Sequence, residues 1–146
     1  MPKPLQLPGT PEDTEQAFYE ALQQGDLERL MACWSDEDEI VCIHPGGSRL
    51  VGHAAIRASF ERLFAQGGLS LVPQPPHSIE PTLGIRVHSV VERLEVMGDD
   101  GPVQACVLAT NVYVKTALGW RLVVHHASAA MADEPATVPA HSQRLH

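Results

Sequence analysis

The chain is predicted to be an α+β domain, on three observations. Apolar residues in the first 64 positions recur mainly at helical spacing, the second half changes to strand pattern, and tight-turn signals separate its long apolar runs. Helices gathered ahead of a block of strands pack together on an antiparallel sheet rather than alternating with parallel strands. With 146 residues, 44% of them hydrophobic, there is material for one domain core and too little for two.

Residues 1–11 contain four prolines and a glycine and read as a loose arm. Order is expected from residue 12, because Thr10 suits a helix cap, Pro11 the first helical position, and Glu12 and Asp13 the positive end of the dipole. Ala17, Phe18, Ala21 and Leu22 mark the buried face of that helix, which ends near Gln24-Gly25. Asp26 caps a shorter second helix with Leu27, Leu30, Met31 and Trp34 on one stripe. The acidic run Asp36-Glu-Asp-Glu39 reads as a solvated connector.

Ile40-Val-Cys-Ile43 is a buried strand that stops at His44-Pro-Gly-Gly47. A third helix follows, with Ile56, Phe60, Leu63 and Phe64 at helical spacing, closing near Gly67-Gly68. Pro73, Pro75 and Pro76 place the next extended stretch at an edge or a bulge. Residues 84–97 and 103–116 are long strands joined by Gly98-Asp-Asp-Gly101, and residues 120–128 are the last strand, entered through Leu118-Gly119. The domain is therefore set at residues 12–130. Residues 131–146 lack periodicity and read as a disordered tail, in which His141 and His146 are incidental.

Charge and composition exclude several functions. A net charge of −8 without a Lys/Arg cluster argues against nucleic acid as a partner. No apolar stretch approaches the roughly 18 residues of a membrane span. The first residues lack the apolar centre of a signal peptide, so the expected location is the cytoplasm. Cys33, Cys42 and Cys106 form no C-x-x-C pair and read as reduced core thiols.

The element order resembles the superfamily of cone-shaped proteins that includes nuclear transport factor 2, ketosteroid isomerase, scytalone dehydratase and the SnoaL-like polyketide cyclases. Two signatures carry the resemblance. One is the strand, turn and helix unit with Gly52-x-x-x-Ile56-Arg57; the other is Thr110 to Ser128, similar to the closing hairpin of SnoaL-like domains. The resemblance implies an NTF2-like fold, three N-terminal helices on a strongly curved antiparallel sheet, with a ligand pocket between them. It also implies that the sheet's wide face, built from strand 103–116 and the closing strand, forms a homodimer. In ketosteroid isomerases a general-base aspartate precedes a proline where this chain has His44-Pro45. An ordinary histidine titrates near pH 6.5, so His44 can take a proton at neutral pH as that carboxylate does.

Strand alternation supplies the other candidates. His125 and His126 point to opposite faces, and counting by twos from Trp120 through Leu122 and Val124 brings His126 and Ser128 inward. Asn111 and Tyr113 share a face of the neighbouring strand, and Trp34 joins them as pocket lining. His44 and His126 are thus the candidate catalytic pair, with Asn111, Tyr113, Ser128 and Trp34 as candidate substrate contacts. Each has a purely structural counterpart, His44 as a residue that pins its turn and Asn111 as a tie between strands. No metal site is expected, since adjacent strand histidines cannot share one ion without a bulge. The expected ligand is a small apolar or anionic molecule, the latter through Arg86, with no cofactor. Two function classes stand: a cofactor-independent isomerase, cyclase or dehydratase using histidine acid–base chemistry, or a non-catalytic module for ligand binding or dimerisation.

Overall fold

Helix α1 (Pro11–Gln24) begins with a reciprocal cap. Thr10 Oγ1 accepts from the Asp13 amide at 3.1 Å and Asp13 Oδ2 accepts from the Thr10 amide at 3.2 Å. It ends on Gly25 in the left-handed region, φ 69°, which an L side chain avoids. The computed structural model describes residues 9–130. The arm and tail expectations for residues 1–8 and 131–146 lie outside them. Among the described residues no helix is long and apolar enough to cross a membrane.

Asp26 caps α2 (Leu27–Ala32) by accepting from the Arg29 amide at 3.1 Å. The remaining elements are β1 (Val41–Ile43), β2 (Arg49–Val51), α3 (His53–Leu63) with a 3₁₀ turn after it, β3 (Leu71–Pro73), β4 (His77–Thr82), β5 (Ile85–Gly98), β6 (Gly101–Thr116) and β7 (Gly119–Ala129). The strands form one sheet in the order β2-β1-β7-β6-β5-β3, with β4 also paired to β5. Pairing is antiparallel throughout except for β1 with β7, which run parallel. The sheet is therefore mixed rather than wholly antiparallel. The parallel partners β1 and β7 are the first and last strands in the chain, joined through β2, α3 and the other strands rather than by a hairpin. The prolines fall as their missing donors require, on and beside edge strand β3.

Helices and sheet share one core. Phe18 of α1 is fully buried and meets Trp34 and Phe60 edge-on, ring centroids 6.5 and 6.3 Å apart. After α3 the chain returns to the end of α1, where the Leu69 amide donates to Leu22 O at 2.9 Å. Gly68 permits that approach, because a Cβ there would run into the backbone of Gln23.

One irregularity decides which side chains face inward. Val112 pairs with Val124, but the next residue, Tyr113, pairs with Leu122, leaving Val123 as an extra residue in β7. The inward phase Trp120, Leu122 therefore continues as His125, Ala127. His126 and Ser128 are on the exposed side.

Candidate functional site

A cavity of about 290 Å³ lies between the helices and the inner face of the sheet. Leu22, Phe60, Leu71 and Leu94 supply apolar wall, and the polar groups on it are His44, Glu92 and His125. Three separate elements bring these together: His44 follows the last residue of β1, Glu92 is central in β5, and His125 follows the β7 bulge. A larger groove of about 420 Å³ runs along the outer flank of α1 past Glu12, Glu20 and the prolines, and contains none of the three.

A hydrogen-bonded chain connects two of these groups behind the wall. Tyr19 of α1 donates its hydroxyl to Glu92 Oε2 at 2.7 Å, and Asn111 Nδ2 donates to the Tyr19 oxygen at 3.0 Å. With its amide nitrogen so engaged, Asn111 presents Oδ1 to His125 Nδ1 at 2.5 Å. His125 Nδ1 is then the protonated nitrogen of a neutral ring, and Nε2 carries the lone pair. Burial, with His44 and His126 nearby, pushes the His125 imidazole down to about 3, so it stays neutral at physiological pH.

Glu92 is driven the other way. Burial, and the charge of nearby Glu15, raise its carboxyl from 4.5 to about 7, against the lowering effect of the Tyr19 hydrogen bond. A carboxyl in an apolar wall that titrates near neutrality exchanges protons with little driving force in either direction.

His44 is half-buried at the mouth of this arrangement, packed edge-on against Phe60 with centroids 4.9 Å apart. Its Nε2 lies 3.0 Å from Ser59 Oγ, whose own proton goes to Ile56 O at 2.7 Å. Nε2 is therefore the donor and Nδ1 bears the lone pair. Burial and the charge of Arg62 hold this imidazole below its ordinary 6.5. The nearby Cys42 thiol, 3.8 Å from Nε2, is pushed up to about 12 by burial and is no nucleophile.

A second polar cluster lies under the start of α1. Glu15 Oε2 accepts from the Tyr113 hydroxyl and from His88 Nδ1, each at 2.7 Å. His88 Nε2 approaches Glu12 at 3.5 Å, and Glu12 in turn accepts from Arg86 at 2.7 Å. These groups tie α1 to β5 and β6 and do not line the cavity. Among the described residues no group of three or more His, Cys, Asp or Glu is arranged to hold a metal ion.

Residues 12–132 match the SnoaL-like domain family. The chain belongs to that family. No curated protein matches it. Among solved structures, a protein from Thiobacillus denitrificans named for a calcium/calmodulin-dependent protein kinase type II association domain is 38% identical, with a TM-score of 0.76 over 87% of this chain and 100% of its own. A Streptomyces avermitilis protein of the NTF2-like family, named for a dehydratase, is 28% identical, with a TM-score of 0.69 over 81% of this chain and 92% of its own. A ketosteroid isomerase-like protein from Erwinia carotovora shares the fold at 15% identity, with a TM-score of 0.70 over 82% of this chain and 93% of its own. The helices and curled sheet described above are thus an NTF2-like fold.

Within this SnoaL-like domain the sequence candidates separate. His44 is on the cavity wall; Asn111 stands one bond behind it, holding His125. His126 and Ser128 are corrected to the outer face, because Val123 reverses the alternation on which their inward placement depended. Tyr113 is inward but bonded to Glu15, and Trp34 is packed in the core against Phe18. Arg86 is engaged by Glu12 instead of being held for an anionic ligand. Sequence reasoning passed over Glu92, Tyr19 and His125. One signal for Glu92 was available: it is in phase with His88 and Val90, so period-two reading puts a carboxyl on the buried face of β5.

Proposed function

We propose that this SnoaL-like domain is a proton-transfer enzyme of the isomerase, cyclase or dehydratase type, with Glu92 as the group that takes and returns the proton. The observation that carries this reading is a neutral-titrating carboxyl on the wall of an apolar cavity, bonded to Tyr19 and facing a space that His125 and His44 also line. Ionised Glu92 removes a proton from substrate carbon, and the protonated carboxyl returns it to another carbon or to a departing hydroxyl. Tyr19 stabilises the ionised form between these steps. His125 Nε2 and His44 Nδ1 orient the substrate by accepting hydrogen bonds. The dehydratase name of the Streptomyces relative supports this class of chemistry, and the free thiols support a reducing compartment such as the cytoplasm. The test is proton exchange in D₂O on a panel of small carbonyl compounds that carry a hydroxyl or amino group, followed by NMR. Exchange that disappears in Glu92→Gln supports the reading; exchange that is unchanged in that variant overturns it.

A second reading has its own support. The 38% identical neighbour is named for an association domain, which favours a module that assembles with copies of itself through the sheet. Light scattering at micromolar concentration tests it, and a monomer throughout counts against it.

A further inference from the structure

We propose that the cavity takes a small cationic amine, whose N–H groups are received by Glu92, His125 and His44. The proposal rests on the cavity being the ligand site of the proposed enzyme and adds the ligand's class. It follows from counting donors. When ionised, Glu92 can only accept, and with Oε2 receiving the Tyr19 hydroxyl its free acceptor capacity is directed to a ligand. His125 spends its N–H on Asn111 and keeps a lone pair on Nε2; His44 spends its N–H on Ser59 and keeps one on Nδ1. Among the described residues no lysine, arginine, hydroxyl or amide side chain lines the wall.

With Glu92 ionised, the side chains of the wall therefore offer acceptors alone. A carboxylate or phosphate there finds no side-chain donor among the described residues and faces a like charge. An alcohol has one donor to give, whereas an ammonium group has three together with the compensating charge. The rest of the wall, with Leu22, Phe60, Leu71 and Leu94, suits an alkyl or small cyclic remainder. The volume of 290 Å³ equals about ten water molecules at ~30 Å³ each, which limits the ligand to a comparable number of heavy atoms. A net charge of −8 also draws cations toward the molecule.

Ionisation of Glu92 makes this binding pH-dependent. The titratable groups around it are Tyr19 and Glu15 from α1, His125 from β7 and His44 after β1, with Arg62 of α3 acting on His44. β3 and β6 contribute Leu71 and Val107 to the same wall, neither of them charged. Burial disfavours the charged form of both imidazoles, and Glu92 is the group on the wall whose ionisation supplies the negative charge.

The experiment titrates isotope-labelled protein with hexylammonium, hexanol and hexanoate, following NMR shifts of cavity residues. At pH 8 hexylammonium binds at least about tenfold more tightly than hexanol, with hexanoate weakest. Its affinity falls about tenfold between pH 8 and pH 6, as the ionised fraction of Glu92 falls. Glu92→Gln abolishes the preference for the amine. Hexanol or hexanoate binding as tightly as hexylammonium at pH 8, or an amine affinity flat from pH 6 to 8 in the unaltered protein, overturns the proposal and leaves the enzyme reading standing. If none of the three shifts a cavity resonance, this proposal and the ligand-site reading fail together.

Discussion

The hydroxyl of Tyr19 reaches from α1 to Glu92 Oε2 on β5, 2.7 Å away, and both side chains are buried. This bond joins the helical layer to the sheet at a carboxyl that lines the inner cavity. It holds Glu92 below the value to which burial would otherwise drive it.

Tyr19→Phe therefore has two effects. Glu92 loses a donor to its charged form, so its titration moves upward, and Asn111 Nδ2 loses its acceptor. A buried polar group without a partner costs about 1–3 kcal/mol. Urea denaturation at pH 6 measures that cost, and ¹³C NMR of the Glu92 carboxyl measures the displacement.

Glu92 also makes stability pH-dependent, with a definite sign. Its carboxyl is raised from 4.5 to about 7, so the folded chain holds the proton more tightly than the unfolded chain. That contribution is complete below pH 4.5 and is lost as pH rises through 7. At 1.36 kcal/mol per pH unit it amounts to about 3 kcal/mol. His125, lowered from 6.5 to about 3, acts oppositely: its contribution is present above pH 6.5 and lost as pH falls through 3. Comparison with Glu92→Gln isolates the first effect, because both proteins keep His125. Relative to that variant, the unaltered protein loses about 3 kcal/mol of stability between pH 4.5 and pH 8, measured by denaturation at each pH.

The β7 bulge separates two adjacent histidines. His125→Ala opens a void and leaves Asn111 Oδ1 without its donor, at a cost of about 2–4 kcal/mol. His126→Ala changes an exposed side chain and costs within about 0.5 kcal/mol. Equal costs in parallel denaturation curves would sink the assignment of inward and outward faces.

How far the sequence carried these conclusions depended on whether a residue type marked the feature. Thr10-Pro11, Gly25-Asp26 and Gly98-Asp-Asp-Gly101 announce caps and a turn through donors, acceptors and positive φ, and those boundaries are legible. His44 is legible too, because the apolar run before it ends in proline and glycine. The bulge is not: Val123 lies in an apolar run, and a valine carries no sign of being the extra residue. A single such insertion reverses every later side chain, which is why alternation selected His126 and Ser128. Glu92 was obscured by Arg93 and Glu95, whose charges make the end of β5 read as a solvated strand. Its environment is made by Tyr19, 73 residues earlier, and by the core. Local pattern does not contain a pKa.

The most direct test of the central claim is a pH titration of the glutamate side-chain carboxyls by ¹³C NMR, with Glu92 assigned by comparison with Glu92→Gln. One carboxyl is expected to show an inflection near pH 7 that vanishes in the variant. An inflection for Glu92 at its ordinary value of 4.5 would contradict the claim.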